Sequence, residues 1–343
     1  MKINETNLIP LRLPFESWYK QEIEDNPFVM FPKEFEFLSN FNKSLLEPFY
    51  KSYNVPKKRG GIREIFAPNY QLKEIQRKIA DYLILNKKQS LNVSYGFELN
   101  TNMVAGAVKH IKKETVINLD IKDFFQSITK KMIEECLKKN FNLTVLPWKF
   151  LEIVTLHDHL PTGAPSSPVL SNIYCYDMDL ELYQFSRENK LSYTRYADDL
   201  TFSTNEKINK KQTINLITNI VKKYHLEINK EKTKVYNKSC RQEVTGLVVN
   251  DKVNLKREFR YNLKAILHNW KKQGYDNTLI KFKQKFPDKN LIPTVQGWIE
   301  FLGMVKGKEH PEFKKHHRTF TILCNNYNIF QQFNDILQNC TKK

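Results

Sequence analysis

The stretch Tyr193-Thr-Arg-Tyr-Ala-Asp-Asp-Leu-Thr-Phe-Ser203 sets two carboxylates side by side between runs rich in Tyr, Thr and Phe. Such runs read as short β-strands, and Ala197, Asp198 and Asp199 fall at the tight turn where they meet. Adjacent aspartates on a hairpin tip repel each other, and a cation between them removes that cost. An isolated Asp-Asp pair is more often a solvated turn. Here a third carboxylate lies 78 residues upstream, in Val116-Ile-Asn-Leu-Asp-Ile-Lys-Asp-Phe-Phe-Gln-Ser-Ile128. The apolar run leading into Asp120 reads as a buried strand that delivers this carboxylate at its end, whereas Asp123 falls on another side and reads as structural. Three carboxylates on two strands suit a pair of Mg²⁺ ions roughly 4 Å apart, the arrangement that serves in-line nucleotidyl transfer.

The elements that must position these groups are legible around them. Leu160-Pro-Thr-Gly-Ala-Pro-Ser-Ser-Pro-Val-Leu-Ser-Asn172 is a small-residue loop running into a helix, and Gly163 and Ala164 allow close backbone approach. Asn54 to Pro68 carries Gly60-Gly61, a two-residue hairpin signal, with Lys57, Lys58 and Arg59 before it and Arg63 after it. A basic hairpin of this kind suits a triphosphate, with Arg63 offering bidentate contacts and the lysines point charges. Leu72, Ile75, Ile79, Tyr82 and Leu83 recur at helical spacing and predict an amphipathic helix behind the hairpin. Helices are expected from Lys130 to His159 with a break near Pro147, from Val169 to Tyr183 as a buried helix, and from Ile208 to Tyr224. Phe28, Phe31, Phe35, Phe37 and Phe41 could stack bases, but an aromatic series at mixed spacing is more often core.

In order along the chain, Asp120-(x)₄-Phe125, Gly163-Ala-Pro-Ser-Ser-Pro168 and Tyr196-Ala-Asp-Asp199 resemble motifs A, B and C of reverse transcriptases. The resemblance is strong over roughly residues 55 to 250. It implies an α/β (α+β) right-hand polymerase fold with fingers, an antiparallel-sheet palm and a helical thumb. It also implies an RNA-directed DNA polymerase whose two Mg²⁺ are held by Asp120, Asp198 and Asp199 beside the backbone carbonyl of Ile121. On the same ground Phe125 sits under the incoming sugar and favours dNTPs, and Gly163 and Ala164 pack against template base and nucleotide. Lys58 and Arg63 lie on the fingers hairpin, and Lys232, in a motif-D-like Lys-Thr, stands as a proton donor to pyrophosphate. Thr162 occupies the place where the family most often has Gln.

Two further segments narrow the resemblance to bacterial retron reverse transcriptases. Ala107 to His110 fits the latter part of an Asn-Ala-x-x-His motif, with Gly106 in place of the Asn, and Val244-Thr-Gly246 follows motif D. This implies His110, Thr245 and Gly246 as nucleic-acid contacts, and a structured noncoding RNA as both template and primer. It further implies priming from a 2′-OH, a covalent RNA–DNA product, and phage defence with an effector protein. Two other readings stand beside it: a non-retron prokaryotic reverse transcriptase, from a group II intron lineage or another defence class, and a catalytically silent RNA-binding scaffold.

Composition agrees with a polyanionic partner. The 343 residues carry 55 Lys or Arg against 37 Asp or Glu, a net charge of +18. Residues 251–343 hold 18 of the basic and 8 of the acidic residues. On a helix from Lys256 to Lys272, Phe259, Leu263, Ile266, Leu267 and Trp270 form the apolar face, and Lys256, Arg260, Lys264 and Lys271 form a stripe suited to phosphates. A second apolar helix over 294–303 and a basic cluster at 314–318 complete the expected thumb. Length predicts more than one compact unit: an N-terminal region with fingers (1–112), a palm (113–250) with a fingers insertion at about 138–160, and a helical basic thumb (251–343). Five scattered cysteines without Cys-x-x-Cys spacing predict a reducing cytoplasm and no zinc. No apolar run of about 18 residues predicts a membrane span.

Overall fold

The computed structural model describes residues 49–57, 60–87, 91–141 and 148–341. Lys58 and the aromatic series from Phe28 to Phe41 lie outside the described residues. The chain forms two compact units, each built from two separate segments. One comprises Met1–Gln89 and Asp123–Cys175, the other Ser90–Lys122 and Tyr176–Lys343. Within the second unit, the helices after residue 256 share a core with the segment before it.

In the first unit, strands β1 (Tyr50–Pro56) and β2 (Ile62–Pro68) pair antiparallel from Tyr50↔Pro68 to Pro56↔Ile62. The connection therefore runs from Lys57 to Gly61 and is longer than the two-residue turn expected at Gly60-Gly61. Pro56 has no N–H to extend the ladder, and the loop closes instead through Lys57 N–H to the Gly61 carbonyl at 2.9 Å. Helix Tyr70–Asn86 follows, capped by Asn69, whose side chain accepts from the Leu72 N–H at 3.0 Å. Leu72, Ile75, Ile79, Tyr82 and Leu83 are buried, as their spacing predicts. The buried Gln76 donates to the Tyr50 hydroxyl and the Ile153 carbonyl, both at 2.7 Å, tying the helix to β1 and to helix Trp148–Val154.

The small-residue loop docks on β2. Phe66 N–H donates to the Thr162 carbonyl at 2.8 Å, and Gln126 Nε2 donates to the Thr162 hydroxyl at 2.8 Å. A Cβ on Gly163 would stand 2.8 Å from the Phe66 carbonyl oxygen and 2.9 Å from Ile65 Cγ2, and the residue holds φ +119°. Only glycine meets both demands.

In the second unit a four-stranded antiparallel sheet has the order β4-β5-β3-β6, from β3 (Thr115–Asp120), β4 (Ser192–Tyr196), β5 (Asp199–Thr204) and β6 (Lys234–Asn237). The central strand β3 is buried nearly throughout, which is why its sequence reads as an apolar run. A short hairpin, β7 (Glu243–Val244) and β8 (Leu247–Val248), turns at Thr245-Gly246, both with positive φ. The Asn250-Asp251 pair, a turn signal in its own right, is not the turn of this hairpin. Val244, Leu247 and Val249 join Leu263 and Trp270 of helix Arg257–Lys285, Val295 and Leu302 of helix Leu291–Lys306, and Phe320 of helix Pro311–Thr341 in one apolar core. Helix Arg257–Lys285 breaks at Gly274, φ +81°. Among the described residues no helix is long and apolar enough to cross a membrane.

Gly163→Ala forces a Cβ against the β2 backbone in a left-handed conformation, so the variant is expected to lose about 2–3 kcal/mol of stability, read as a lowered urea midpoint.

Candidate active site

The three aspartates predicted from sequence all belong to the second unit, and strand register accounts for two of them. In the β3–β5 ladder Asp120 stands directly opposite Asp199, and in the β4–β5 ladder Tyr196 pairs with Asp199. Ala197 and Asp198 are therefore the two-residue turn of the β4–β5 hairpin. Ala197 sits at φ +56°, a strained position for a residue with a Cβ. The Ile121 N–H donates to the Asp198 carbonyl at 2.9 Å, clipping the turn to the end of β3.

Like charges placed opposite each other on paired strands are costly. Asp199 is accessible to solvent, but surrounding protein partly desolvates its carboxylate. That desolvation, reinforced by the Asp198 and Asp120 charges, pushes its pKa up to about 7. Asp120, nearly buried, is compensated from another side: Lys232 Nζ donates to its two carboxylate oxygens at 2.8 and 3.0 Å. Lys232 ends a short 3-10 turn, Lys230–Lys232, whose N-cap Asn229 also donates its backbone N–H to the Asp120 carbonyl at 2.8 Å. The lysine expected at a leaving pyrophosphate thus bonds a candidate metal ligand.

That pairing is a test of fit for a cation. An ammonium group occupies carboxylate oxygens that a hard divalent ion would also seek, and the donor set is all oxygen. Among the described residues no three Asp, Glu, His or Cys side chains form a ready-made ion cage. Mg²⁺ makes no such demand, since it keeps several waters and binds through one or two carboxylates plus substrate phosphates. Asp120, Asp198 and Asp199 fit it on those terms.

The remaining predicted residues divide. Arg63 and Gly163 are exposed, Phe125 is half-buried against Phe124, and Ala164 is buried, so Ala164 offers no open surface for a nucleotide; all four lie in the first unit. His110 does not face nucleic acid. It is fully buried in the second unit, with Nδ1 2.7 Å from the Ser203 hydroxyl and Nε2 2.7 Å from the Thr194 hydroxyl. Burial, and then the Lys113 charge, push its pKa down to about 3, so it is a neutral brace across β4 and β5.

Of the expected basic stripe, Lys256 pairs with Glu243 at 2.5 Å, and Arg260 grips Glu312 through two bonds of 2.9 and 3.0 Å. Burial would raise the Glu312 carboxyl, but the bonds from Arg260 and Lys306 outweigh it and hold its pKa at about 2. These two cations clasp secondary structure. Lys264 and Lys271 are exposed, and among the described residues neither has an ion-pair partner within 4.0 Å. Lys264, Arg241 and Arg257 line a cleft of about 460 Å³ beside Val248 of the Val-Thr-Gly hairpin.

Sequence reasoning missed Arg195 and Asp179. Arg195 is 1% exposed and makes a forked ion pair with Asp179, which helix Ser167–Glu188 supplies. The signal was an arginine inside an otherwise strand-like run, facing a buried helix that carries an acid; buried charges of this kind come paired.

Two outcomes follow from these shifted pKa values. His110 is uncharged when folded but ionises near 6.5 when unfolded, so its contribution is complete above pH 6.5 and declines as pH falls toward about 3. His110→Gln should lower the melting temperature at pH 8 and flatten its decline between pH 6.5 and 5 relative to the parent. A divalent ion held by the Asp199 carboxylate would displace a proton whose pKa is about 7. Mn²⁺ affinity should therefore rise from pH 6 to 8, with proton release visible as a buffer-dependent heat of binding.

The family described as reverse transcriptase (RNA-dependent DNA polymerase) matches residues 55–303. The retron Mx65 reverse transcriptase of Myxococcus xanthus is 33% identical over 237 residues, covering 64% of this chain and 55% of that protein. The retron Ec86 reverse transcriptase of Escherichia coli is 30% identical over 264 residues, covering 76% of this chain and 78% of that protein. The chain thus spans about half the length of the first and more than three quarters of the second. A solved telomerase from Candida albicans, in complex with a fragment of telomeric RNA, resembles 84% of this chain and 65% of its own at 14% identity, with a TM-score of 0.46. The family match takes in β2, the carboxylate-bearing sheet and most of helix Leu291–Lys306, and with relatives of this identity and coverage the chain belongs to the reverse transcriptases, among those of the bacterial retron type.

Proposed function

We propose that the chain is the RNA-directed DNA polymerase of a retron. It copies a structured noncoding RNA, which is both template and primer, into a covalently branched RNA–DNA, and acts in the cytoplasm with an effector protein in phage defence. The observation that carries the polymerase reading is the Asp120↔Asp199 register, with Asp198 in the turn between β4 and β5. Family membership and the retron relatives support the choice of template class.

In this reading Asp120, Asp198 and Asp199, with the Ile121 carbonyl, hold two Mg²⁺. The ions supply a lowered pKa at the priming hydroxyl and charge neutralisation at the leaving pyrophosphate. Asp199 gives up its proton to take its place as a ligand. Lys232 leaves Asp120 and becomes available to the phosphates of the nucleotide. Arg63 takes the dNTP phosphates, Gly163 offers the small surface for the base, and Phe125 excludes a ribose 2′-OH. Lys264 and Lys271, with Thr245 and Gly246 near the basic cleft, meet the RNA backbone, where affinity should depend steeply on salt.

Asp199→Asn keeps the shape of the side chain and removes the charge. It is expected to abolish dNTP incorporation while RNA binding, measured by filter retention at fixed salt, stays within about twofold of the parent, because the backbone contacts lie elsewhere. Full activity in this variant would defeat the polymerase reading. Sequencing the nucleic acid that copurifies with the parent addresses the retron reading separately, since a branched RNA–DNA species is expected and a linear cDNA would point to another class.

A further inference from the structure

We propose that Arg195 is a positioning residue for the carboxylate-bearing turn, acting through the Ala197 carbonyl with Asp179 as its anchor. This rests on the reading of Asp120, Asp198 and Asp199 as metal ligands. A guanidinium and a carboxylate buried to 1% and 5% side-chain exposure gain little stability over apolar residues of the same volume. Shape alone would be met by a Leu or Met. What an apolar residue lacks is a donor, and Arg195 uses one beyond its ion pair.

The network is laid out by strand alternation. Tyr193 and Arg195 fall two apart on β4 and point to the same side, where Asp179 receives both. The Tyr193 hydroxyl donates to Asp179 Oδ1 at 2.7 Å. Arg195 Nε donates to Oδ1 at 2.9 Å and to Oδ2 at 3.0 Å, and Nη2 to Oδ2 at 2.6 Å. With the plane of the guanidinium fixed, Nη1 donates to the Ala197 carbonyl at 3.3 Å. The arginine backbone is also held: its N–H donates to the Val93 carbonyl at 2.7 Å, and its carbonyl accepts from the Tyr95 N–H at 2.8 Å.

Asp198 is then pinned from both sides. The peptide before it has its carbonyl, that of Ala197, on Arg195, and the peptide after it has its carbonyl on the Ile121 N–H. The Ala197 N–H side is closed as well, since a Cβ on Gly96 would lie 2.8 Å from the Ala197 nitrogen. Ala197 in its strained conformation would relax if one of these holds were released, and the Asp198 carboxylate would swing with the peptide. Arg195 therefore sets the direction of a ligand it does not touch.

The test uses the full chain and Mn²⁺ alone, without nucleic acid, read by electron paramagnetic resonance, with thermal melting as a check on folding. Arg195→Lys keeps a cation against Asp179 but gives up the rigid fork that reaches Ala197. It is expected to fold, to bind Mn²⁺ about 10-fold more weakly, and to lose about 10- to 100-fold in kcat, with the dNTP KM within about threefold of the parent. A folded Arg195→Lys with Mn²⁺ affinity and kcat within about twofold of the parent overturns the proposal, because a residue serving packing alone would move only the melting temperature. If Arg195→Lys does not fold, Tyr193→Phe decides: it removes one hydroxyl bond to Asp179 and leaves the ion pair. A weakening of Mn²⁺ binding of about threefold is expected there, and an unchanged affinity overturns the proposal. Asp199→Asn separates the two readings. Mn²⁺ binding that this variant retains in full, or that the parent lacks, means that the carboxylates are not the metal site and that the proposal falls with them.

Discussion

Electrostatic repulsion between Asp120 and Asp199 is the constraint around which the second unit is arranged. Antiparallel pairing forces the two side chains opposite each other, and no neutral partner intervenes on the ladder. The protein answers in three ways. It places Lys232 on Asp120, it leaves the partly desolvated Asp199 with an affinity for a proton near neutrality, and it fixes the turn that carries Asp198 with bonds from Arg195 and Ile121. A site optimised for stability alone would have replaced one of the acids. Keeping all three together makes sense where a divalent cation is part of the working state.

Much of this is legible in the order of the residues. The apolar run ending in Asp120 and the flanks of Asp198-Asp199 have a strand period, and capped helices such as Tyr70–Asn86 carry their boundaries in their own residues. Register is not legible in that way. Nothing in the local pattern tells which residue of Val116–Asp120 will face Asp199, because that depends on how two distant strands slide until their apolar positions coincide. The same limit explains His110 and Arg195. Each has a polar side chain whose partners, Thr194 and Ser203 or Asp179, lie 16 to 93 residues away, so the sequence shows the donor and hides the acceptor.

The basic face of helix Arg257–Lys285 teaches a related point about charge. Helical spacing sets Arg260, Lys264 and Lys271 within a quarter-turn of each other, with Lys256 at the N-cap, but proximity to acids decides what each does. Glu243 and Glu312 take two of them into the fold, and the half-buried clasp at Glu312 joins this helix to the start of helix Pro311–Thr341. The net charge of +18 therefore does not say which cations face a partner. The exposed lysines and the cleft beside the Val-Thr-Gly turn hold the part that remains for a polyanion.

Neither compact unit is a continuous piece of chain. Residues 90–122 of the second are made before the later part of the first, and β3 waits for β5 and β6 to emerge before it has any neighbour. On the ribosome, then, the nascent hairpin of β1 and β2 stands without the loop at Gly163 for roughly a hundred residues of synthesis, and the apolar strand 115–120 lacks its sheet until β5 and β6 have followed. Such a chain is exposed to mispairing during its own manufacture, and its yield in a cell should respond to the pace of translation and to chaperones that shield unpaired strands.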